Sequence, residues 1–212
     1  MVGDGALTFR EFAMREPLPL ATIHDAVLEF LRGRDDAALF GAQAVNAYVD
    51  EPRMTQDVDI LSPRARELAD EIRMCLSEKF HIAVRIREVH EGQGFRIYQV
   101  KRPRNRHLVD VRHVEKLPPV ERVSDLLVVS PPELIANKVI ARERRRDTPK
   151  SGTDWRDIAV LLLTFPELKR DPGPVRDRLE AAAATPAALE AWKGLVAQHI
   201  LPEDEDSEFG GP

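Results

Sequence analysis

Apolar residues recur along the chain with two different spacings, and these predict an α/β region followed by helices. A recurrence every three or four positions indicates amphipathic helices, whereas alternation or a short apolar run indicates strands. Short turns join the three strands predicted between residues 81 and 113, which favours antiparallel pairing. In the first 130 residues the predicted helices are 21–32, 42–48 and 63–79, and the predicted strands are 37–40, 57–61, 82–86, 95–99, 108–111 and 126–129.

The rest of the chain has a helical pattern. Ser130-Pro131-Pro132-Glu133 is a typical helix start, with a serine cap, proline in the first turn and glutamate three residues after the cap. The predicted helices are 131–145, one from Thr153 or Asp154 to about Leu163, and two alanine-rich helices over 174–184 and 187–199. We therefore divide the chain into an α/β core (1–129), a helical C-terminal region (130–200) and an acidic tail (201–212) that we expect to be flexible.

The composition says little about partners but limits the compartment. The 212 residues include 31 Lys and Arg against 36 Asp and Glu, and five of these acids crowd the last ten residues, so the remaining chain is nearly neutral. A single cysteine, Cys75, excludes an internal disulfide and a cysteine-built zinc site. No apolar run approaches the roughly 18 residues of a membrane helix, and the first turns lack a signal-peptide core. We expect a cytoplasmic protein without a membrane partner.

The first chemical candidate is a pair of acids on one predicted strand. Asp57 and Asp59 are two positions apart, so their side chains leave the same face with Cα atoms about 6.5–7 Å apart. Two carboxylates at that separation repel each other unless one is protonated or a cation lies between them. A partly hydrated divalent cation such as Mg²⁺ or Mn²⁺, shared with substrate phosphates, would remove the repulsion. The alternative is a solvated strand face without a ligand.

A turn before these acids adds a candidate phosphate site. Residues 40–46 form a predicted strand–turn–helix unit with small side chains at the turn, and the free backbone N–H groups of such a helix start bind anions. Gly41, Ala42 and Gln43 are the residues that would contact phosphate. Arg53 and Thr55 lead from this unit to Asp57, which places the candidate phosphate site beside the candidate metal site.

These residues together resemble a known family. The stretches Gly41-Ala42-x-Ala44-Val45-Asn46 and Pro52-Arg53-x-Thr55-x-Asp57-Val58-Asp59-Ile60 resemble the signature of the nucleotidyltransferase superfold and are most similar to the AbiEii toxins and their MenT-like relatives. The superfold has Gly or Ser where this chain has Ala42, which keeps the backbone donor but lacks a hydroxyl. The resemblance, over residues 37–163, implies an α/β (α+β) fold with a mixed sheet flanked by helices and a C-terminal helical bundle.

The superfold leads us to expect a third carboxylate on a neighbouring strand. Asp110 is the candidate, because it is the one acid within an otherwise apolar, β-branched strand, where an unpaired carboxylate is costly. The predicted metal ligands are therefore Asp57, Asp59 and Asp110. The alternative for Asp110 is an edge strand on which it pairs with Arg112 or another basic neighbour.

The resemblance extends over two later helices. Lys138 and Arg142 share a helix face at positions i and i+4, and we predict that they bind the triphosphate. Asp154 and Asp157 share a face at i and i+3, and the family implies that one of them helps to position or activate the acceptor. Lys138 and Asp157 are the preferred candidates. The alternative is a lattice of ion pairs between the two helices, which explains Arg142, Arg145 and Asp154 as well as a role at the site does.

Other candidates are weaker. His107 and His113 are six positions apart on one predicted strand, which gives the same face but too great a separation for one metal ion, so we assign them no role. Basic clusters at 101–106 and 142–150 suit an RNA backbone, with solvated loops as the alternative, which we prefer for 101–106. No Gly-x-Ser-x-Gly segment supports serine nucleophile chemistry.

The predicted activity is transfer of a nucleoside monophosphate from a nucleoside triphosphate such as ATP, GTP or CTP to an acceptor hydroxyl, with release of pyrophosphate. The toxin resemblance implies an RNA (tRNA 3′ end) or protein acceptor and an antitoxin partner. The alternatives are a small-molecule acceptor, a non-catalytic nucleotide- or partner-binding member of the fold, and a plain RNA-binding module. The predicted catalytic residues are Asp57, Asp59, Asp110, Lys138 and Asp157, and the predicted nucleotide-binding residues are Gly41, Ala42, Gln43, Arg53, Thr55, Lys138 and Arg142.

Overall fold

The structure is a computed structural model that describes residues 18–202 of the chain. Within that range the helices are α1 (Leu20–Leu31), α2 (Gly41–Asn46), α3 (Ala65–Phe80), α4 (Pro131–Arg144), α5 (Pro149–Thr164), α6 (Pro174–Ala181) and α7 (Pro186–Ala197). The strands are β1 (Ala38–Phe40), β2 (Val58–Ser62), β3 (Val84–Val89), β4 (Gly94–Gln99), β5 (Arg106–His113), β6 (Val120–Val123) and β7 (Leu126–Val129).

The seven strands form one mixed sheet in the order β3-β4-β5-β2-β1-β7-β6. β2 runs parallel to β5 and β1 runs parallel to β7, whereas the other neighbours are antiparallel. The predicted mixed α/β sheet is therefore confirmed, as is the antiparallel pairing of the three strands between residues 81 and 113. β2 lies in the middle of the sheet, so its polar face is bordered by β1 on one side and by β5 on the other.

The sheet has an apolar face covered by helix and a polar face that stays open near β3 and β4. Helix α3 packs across β3, β4 and β5, and α1 packs against α3. Ile86, Ile97 and Val109 pair across these strands and face the apolar side. Arg85, Arg87 and Arg96, which alternate with them, are exposed. The open face therefore has a basic character beside β5.

The C-terminal helices form a second packed group around α4. Helix α4 packs against α5, α6 and α7, and it also contacts α2 next to the sheet. Leu134, Ile135 and Trp192 are among the largest side chains that this packing buries completely. The packing fixes one face of α4 against α5, and the charged pairs described below lie on that face.

Several boundaries differ from the predicted ones. Helix α5 begins at Pro149 rather than at Thr153 or Asp154, and it continues through Gly152. Ser130 precedes α4 as predicted, but its side chain makes no capping hydrogen bond. Strand β6 was not predicted, because its inner residues Glu121 and Arg122 are charged and exposed, as suits a strand at the edge of the sheet.

Both ends of the chain lie outside the described residues. The acidic residues predicted to form a flexible tail lie at 203–208, outside the described residues, and so do the first 17 residues. None of the described helices is both long enough and apolar enough to cross a membrane.

Candidate active site

Three predicted acids meet on the polar face of the central strands. β2 and β5 run parallel with Asp59 opposite Asp110, so both side chains leave the sheet on the same side. Asp57 lies directly before β2, two positions from Asp59, and points to that same face. β5 is an interior strand between β4 and β2, so the alternative that placed Asp110 on an edge strand is wrong. Asp110 does have a basic partner, because its Oδ1 lies 3.1 Å from Nε of Arg96.

A β-bulge brings an unexpected residue into this group. Ile97 pairs with Val109 but Tyr98 pairs with His107, so β5 uses two residues where β4 uses one. The extra residue reverses the alternation of faces, and His107 therefore lies on the same side as Asp110. Its Nε2 lies 3.1 Å from Oδ1 of Asp110, and its Nδ1 lies 3.1 Å from Oδ2 of Asp57. The sequence pattern indicates no role for His107, whereas the structure places it against two of the predicted metal ligands. The bulge also sets His107 and His113 on opposite faces, so the prediction that they share a face is wrong.

These side chains have the donor set of a small cation site. Asp57, His107 and Asp110 each offer one ligand atom, and the three atoms lie within 4.8 Å of one another. Two carboxylate oxygens and an imidazole nitrogen are ordinary ligands of divalent metal ions. The residues present therefore fit the metal ion that the superfold implies.

Burial and mutual repulsion perturb the titration of the acids. Burial, followed by the charge of Asp57, raises the pKa of Asp59 to about 6. The hydrogen bond from His107 lowers the pKa of Asp57. Hydrogen bonds to Asp110 and then to Asp57 raise the pKa of His107 to about 10. Arg112, whose Nη2 lies 3.5 Å from Oδ1 of Asp59, offsets the rise in the pKa of that acid only in part. An added cation would therefore favour the ionised form of Asp59.

The turn between β1 and α2 lies directly against Asp59. Gly41 begins α2 with φ +69°, and Phe40 before it pairs with Asp59 across β1 and β2. A Cβ atom added to Gly41 would overlap Oδ2 of Asp59 and would lie 3.0 Å from its Cγ. Glycine is required here for two reasons, because the backbone conformation is left-handed and the carboxylate occupies the space of a side chain. Ala42 and Gln43 follow in the first turn of α2.

We expect Gly41→Ala to damage this corner selectively. The added methyl group must displace the carboxylate of Asp59, and misplacement by about 1 Å at a reacting centre costs about 100-fold in rate. Backbone strain adds about 1–2 kcal/mol of destabilisation. Gly152→Ala is the matched control, because nothing lies within 4 Å of its Cβ position and it is within α5. Equal effects of the two substitutions on unfolding and on turnover would contradict this account.

The loop between α2 and β2 is anchored at Arg53 by polar contacts to α2 and to α5. Nδ2 of Asn46 donates to the carbonyl oxygen of Arg53 at 2.8 Å, and its Oδ1 accepts from the N–H of Arg53 at 3.1 Å. The Arg53 guanidinium then donates from Nε and Nη2 to the two oxygens of Asp157, at 2.8 and 3.0 Å. Thr55 is half-buried between Arg53 and Asp57. Asn46 ends the stretch Gly41–Asn46 that resembles the nucleotidyltransferase signature, and no function is predicted for it. In the structure it anchors this loop.

Asp157 lies at the centre of a buried ion-pair network between α4 and α5. Its side chain is fully buried, and it also accepts from Nζ of Lys138 at 2.5 Å. Burial raises the pKa of Asp157, but hydrogen bonds from Arg53 and the charge of Lys138 outweigh that effect and leave it lowered. Lys138 also reaches Oδ1 of Asp154 at 3.8 Å. The structure therefore joins Arg53, Lys138 and Asp157, which the sequence placed in separate motifs.

The ion-pair lattice between the helices is confirmed for Arg145 and Asp154. Nη2 of Arg145 lies 2.7 Å from Oδ2 of Asp154. Burial raises the pKa of Asp154. Among the described residues Arg142 makes no ion pair, and its side chain is half-buried on α4. The charge of Lys138 offsets part of the rise in the pKa of Asp59. The ion-pair network therefore lies near the acidic cluster.

Comparison with known proteins identifies the family to which this chain is similar. The family model described as "Nucleotidyl transferase AbiEii toxin, Type IV TA system" matches residues 25–208. A search among curated proteins finds no significant match. The family match agrees with the predicted subgroup, which is confirmed.

Two solved structures are similar in fold. The Megavirus polyadenylate synthase has a TM-score of 0.58 at 14% identity, over 72% of this chain and 32% of that chain. JHP933 from Helicobacter pylori has a TM-score of 0.53 at 12% identity, over 91% of this chain and 92% of that chain. The chain spans about a third of the length of the polyadenylate synthase, and at these identities the likeness shows the fold alone. With the family model matched over residues 25–208, we conclude that the chain belongs to the AbiEii nucleotidyl transferase toxin family.

Proposed function

We propose that this protein transfers a nucleoside monophosphate from a nucleoside triphosphate to an acceptor hydroxyl and releases pyrophosphate. The observation that supports this most strongly is the parallel register of β2 and β5, which sets Asp59 opposite Asp110 with Asp57 beside them. Membership of the AbiEii family supports the same class of reaction. Converging carboxylates beside a glycine turn are what phosphoryl-transfer chemistry needs, because its catalysis is largely positioning and charge stabilisation.

The acids and the turn have separate tasks in this proposal. Asp57, Asp59 and Asp110 would hold Mg²⁺ or Mn²⁺. When bound, such a cation would neutralise triphosphate charge and lower the pKa of the acceptor hydroxyl. Gly41, Ala42 and Gln43 would contact the phosphates. No side chain at Gly41 separates this turn from Asp59, so phosphate oxygens can approach the backbone and the carboxylates together.

The ion-pair network would supply positive charge to the triphosphate. Lys138 and Arg53 converge on Asp157, which fixes both cations at the edge of the acidic cluster. A cation held by a buried acid needs little reorganisation when a phosphate arrives, and that is the condition under which charge stabilisation is most effective. Asp157 then positions these two side chains, while Arg142, which has no described ion-pair partner, is available to the outer phosphates.

We propose RNA as the first acceptor class to test, with protein second and an antitoxin as the regulatory partner. The open sheet face beside β5 supports a polyanionic acceptor, because Arg87 lies directly opposite Arg96 across β3 and β4. Like charges at paired positions destabilise a sheet unless an anion lies over them. Arg96 in turn pairs with Asp110 in the register, so this basic face borders the acidic cluster.

The test is incubation of the protein with each α-labelled nucleoside triphosphate, a divalent cation, and total RNA or total protein. We expect label in the RNA fraction with wild type and none with Asp59→Ala. Asp70→Asn is the control, since Asp70 is an exposed acid on α3 with one weak surface ion pair. Equal label with wild type and Asp59→Ala would refute the proposal, and label in the protein fraction alone would change the acceptor.

A further inference from the structure

His107 lies inside the acidic cluster and contacts two of its members at once. Nδ1 is 3.1 Å from Asp57 and Nε2 is 3.1 Å from Asp110, and the imidazole is about a quarter exposed. It reaches this place only because the bulge between β4 and β5 turns it to the acidic face. Without that extra residue the side chain would point to the face covered by α3, and the acids would form an all-oxygen site.

The donor set that results differs from that of a simple magnesium site. Mg²⁺ prefers carboxylate, phosphate and water oxygens, whereas an imidazole nitrogen is a better ligand for transition metal ions. The nitrogen and the two carboxylate oxygens lie within 4.8 Å of one another, a spread that one ion can bridge. We propose that His107 is a direct nitrogen ligand of the catalytic metal ion, and that the site therefore prefers Mn²⁺ or Co²⁺ to Mg²⁺. This inference rests on the proposed function.

The surroundings of the imidazole match those of metal-bound histidines. Such a histidine keeps its second ring nitrogen hydrogen-bonded to a carboxylate, which fixes the orientation of the ring. Here each ring nitrogen faces a carboxylate, so one nitrogen can release its proton to solvent and bind the ion while the other keeps its partner. Arg96 anchors Asp110 from the other side at 3.1 Å, and Tyr98 packs against the imidazole with ring centroids 5.1 Å apart. The ring is thus held in place by Tyr98 on β4, by Asp110 on β5 and by Asp57 directly before β2.

A purely electrostatic role for His107 makes a different prediction. If the imidazole only balances the charge of Asp57 and Asp110, a metal ion displaces it and the ion's ligands are all oxygens. If it is a ligand, its nitrogen stays bonded to the ion. Pulsed electron paramagnetic resonance of bound Mn²⁺ separates these cases, because a directly bonded nitrogen modulates the electron spin echo.

The experiment uses the full chain with Mn²⁺ as the probe, in wild type, His107→Gln and the control His113→Gln, which changes a half-buried histidine on the same strand. We expect nitrogen modulation in wild type and in His113→Gln, its loss in His107→Gln, and a Mn²⁺ dissociation constant at least about tenfold higher in that variant. Mg²⁺ competition should need a larger excess in wild type than in His107→Gln.

Two results would overturn the inference, and neither depends on turnover. Mn²⁺ bound to wild type without nitrogen modulation would show that the imidazole is not a ligand, as would modulation that persists in His107→Gln. The proposed function has its own failure, because Mn²⁺ affinity that is unchanged in Asp57→Asn would remove the acidic cluster from metal binding altogether. A nitrogen-free ion whose affinity does depend on Asp57 overturns only the role of His107.

Discussion

Replacement of Asp59 by asparagine is expected to stabilise the metal-free protein while it lowers nucleotidyl transfer by at least about 1,000-fold. The carboxylate of Asp59 is mostly buried and faces Asp57 and Asp110, which is why its pKa rises to about 6. An amide of the same shape removes that repulsion and also removes a metal ligand. A rise of about two units corresponds to an upper bound of about 3 kcal/mol, so we expect a gain of about 1–3 kcal/mol at neutral pH.

The pH dependence of that gain has a definite sign. The folded protein holds the proton of Asp59 up to about pH 6, whereas the unfolded chain releases it near the ordinary pKa of an aspartate, about 3.9. Between these values the folded state binds more protons, so the stability of wild type falls as the pH rises through this window. The advantage of Asp59→Asn should therefore be absent below about pH 4 and complete above about pH 6.

Urea unfolding in a metal chelator at several pH values measures this difference. Asp70→Asn again serves as the control, because an exposed carboxylate has no burial penalty to relieve. An Asp59→Asn advantage of the same size at pH 4 and pH 7 would show that charge repulsion is not its source. Addition of Mn²⁺ should reverse the order, since only wild type has the full set of carboxylates for the ion.

Replacement of Asp157 by alanine is expected to lower the stability of the fold strongly. This side chain is fully buried and receives hydrogen bonds from Arg53 at 2.8 and 3.0 Å and from Lys138 at 2.5 Å. Removing it leaves two cations facing each other without a counter-ion. Breaking a buried pair from one side costs about 3–5 kcal/mol, and we expect the free energy of unfolding to fall by that amount.

Chemical denaturation of Asp157→Ala and of the control Asp147→Ala tests this expectation. Asp147 is exposed in the loop between α4 and α5, so its loss should change stability by less than about 0.5 kcal/mol. Replacing Arg53 by methionine in the Asp157→Ala background should recover part of the loss, because it removes one uncompensated charge. A loss below about 1 kcal/mol for Asp157→Ala would show that α4 and α5 do not depend on this network.

Local patterns predicted the acids but not the contacts between them. The alternation in β2 placed Asp57 and Asp59 on one face, and the apolar surroundings of Asp110 singled out that acid. The pairing of Asp59 with Asp110 depends on β5 lying next to β2, a non-local crossover that no strand pattern reveals. The superfold resemblance supplied that neighbourhood, and the register then placed the two acids opposite each other.

Three features of the structure could not be predicted from local sequence patterns, because each depends on contacts between distant parts of the chain. The alternation predicts one face for His107 and His113, but a β-bulge reverses it between them, and bulges depend on the partner strand. The start of α5 was placed late because Gly152 weakens helix propensity, which packing against α4 overrides. Arg53 and Asp157 are 104 positions apart, so their pairing required the folded arrangement of α2 and α5.

In the proposed reaction, the acidic cluster promotes transfer of the nucleoside monophosphate, with its α-phosphate, from a nucleoside triphosphate to an acceptor. The most direct measurement supplies wild type with triphosphate labelled either at the α- or at the γ-phosphate, together with total RNA and Mn²⁺, and follows both the label in RNA and the pyrophosphate released. We predict that only the α-label enters the RNA, with one pyrophosphate per nucleotide added. Entry of the γ-label instead, or pyrophosphate release that is the same with Asp59→Asn, would contradict the account.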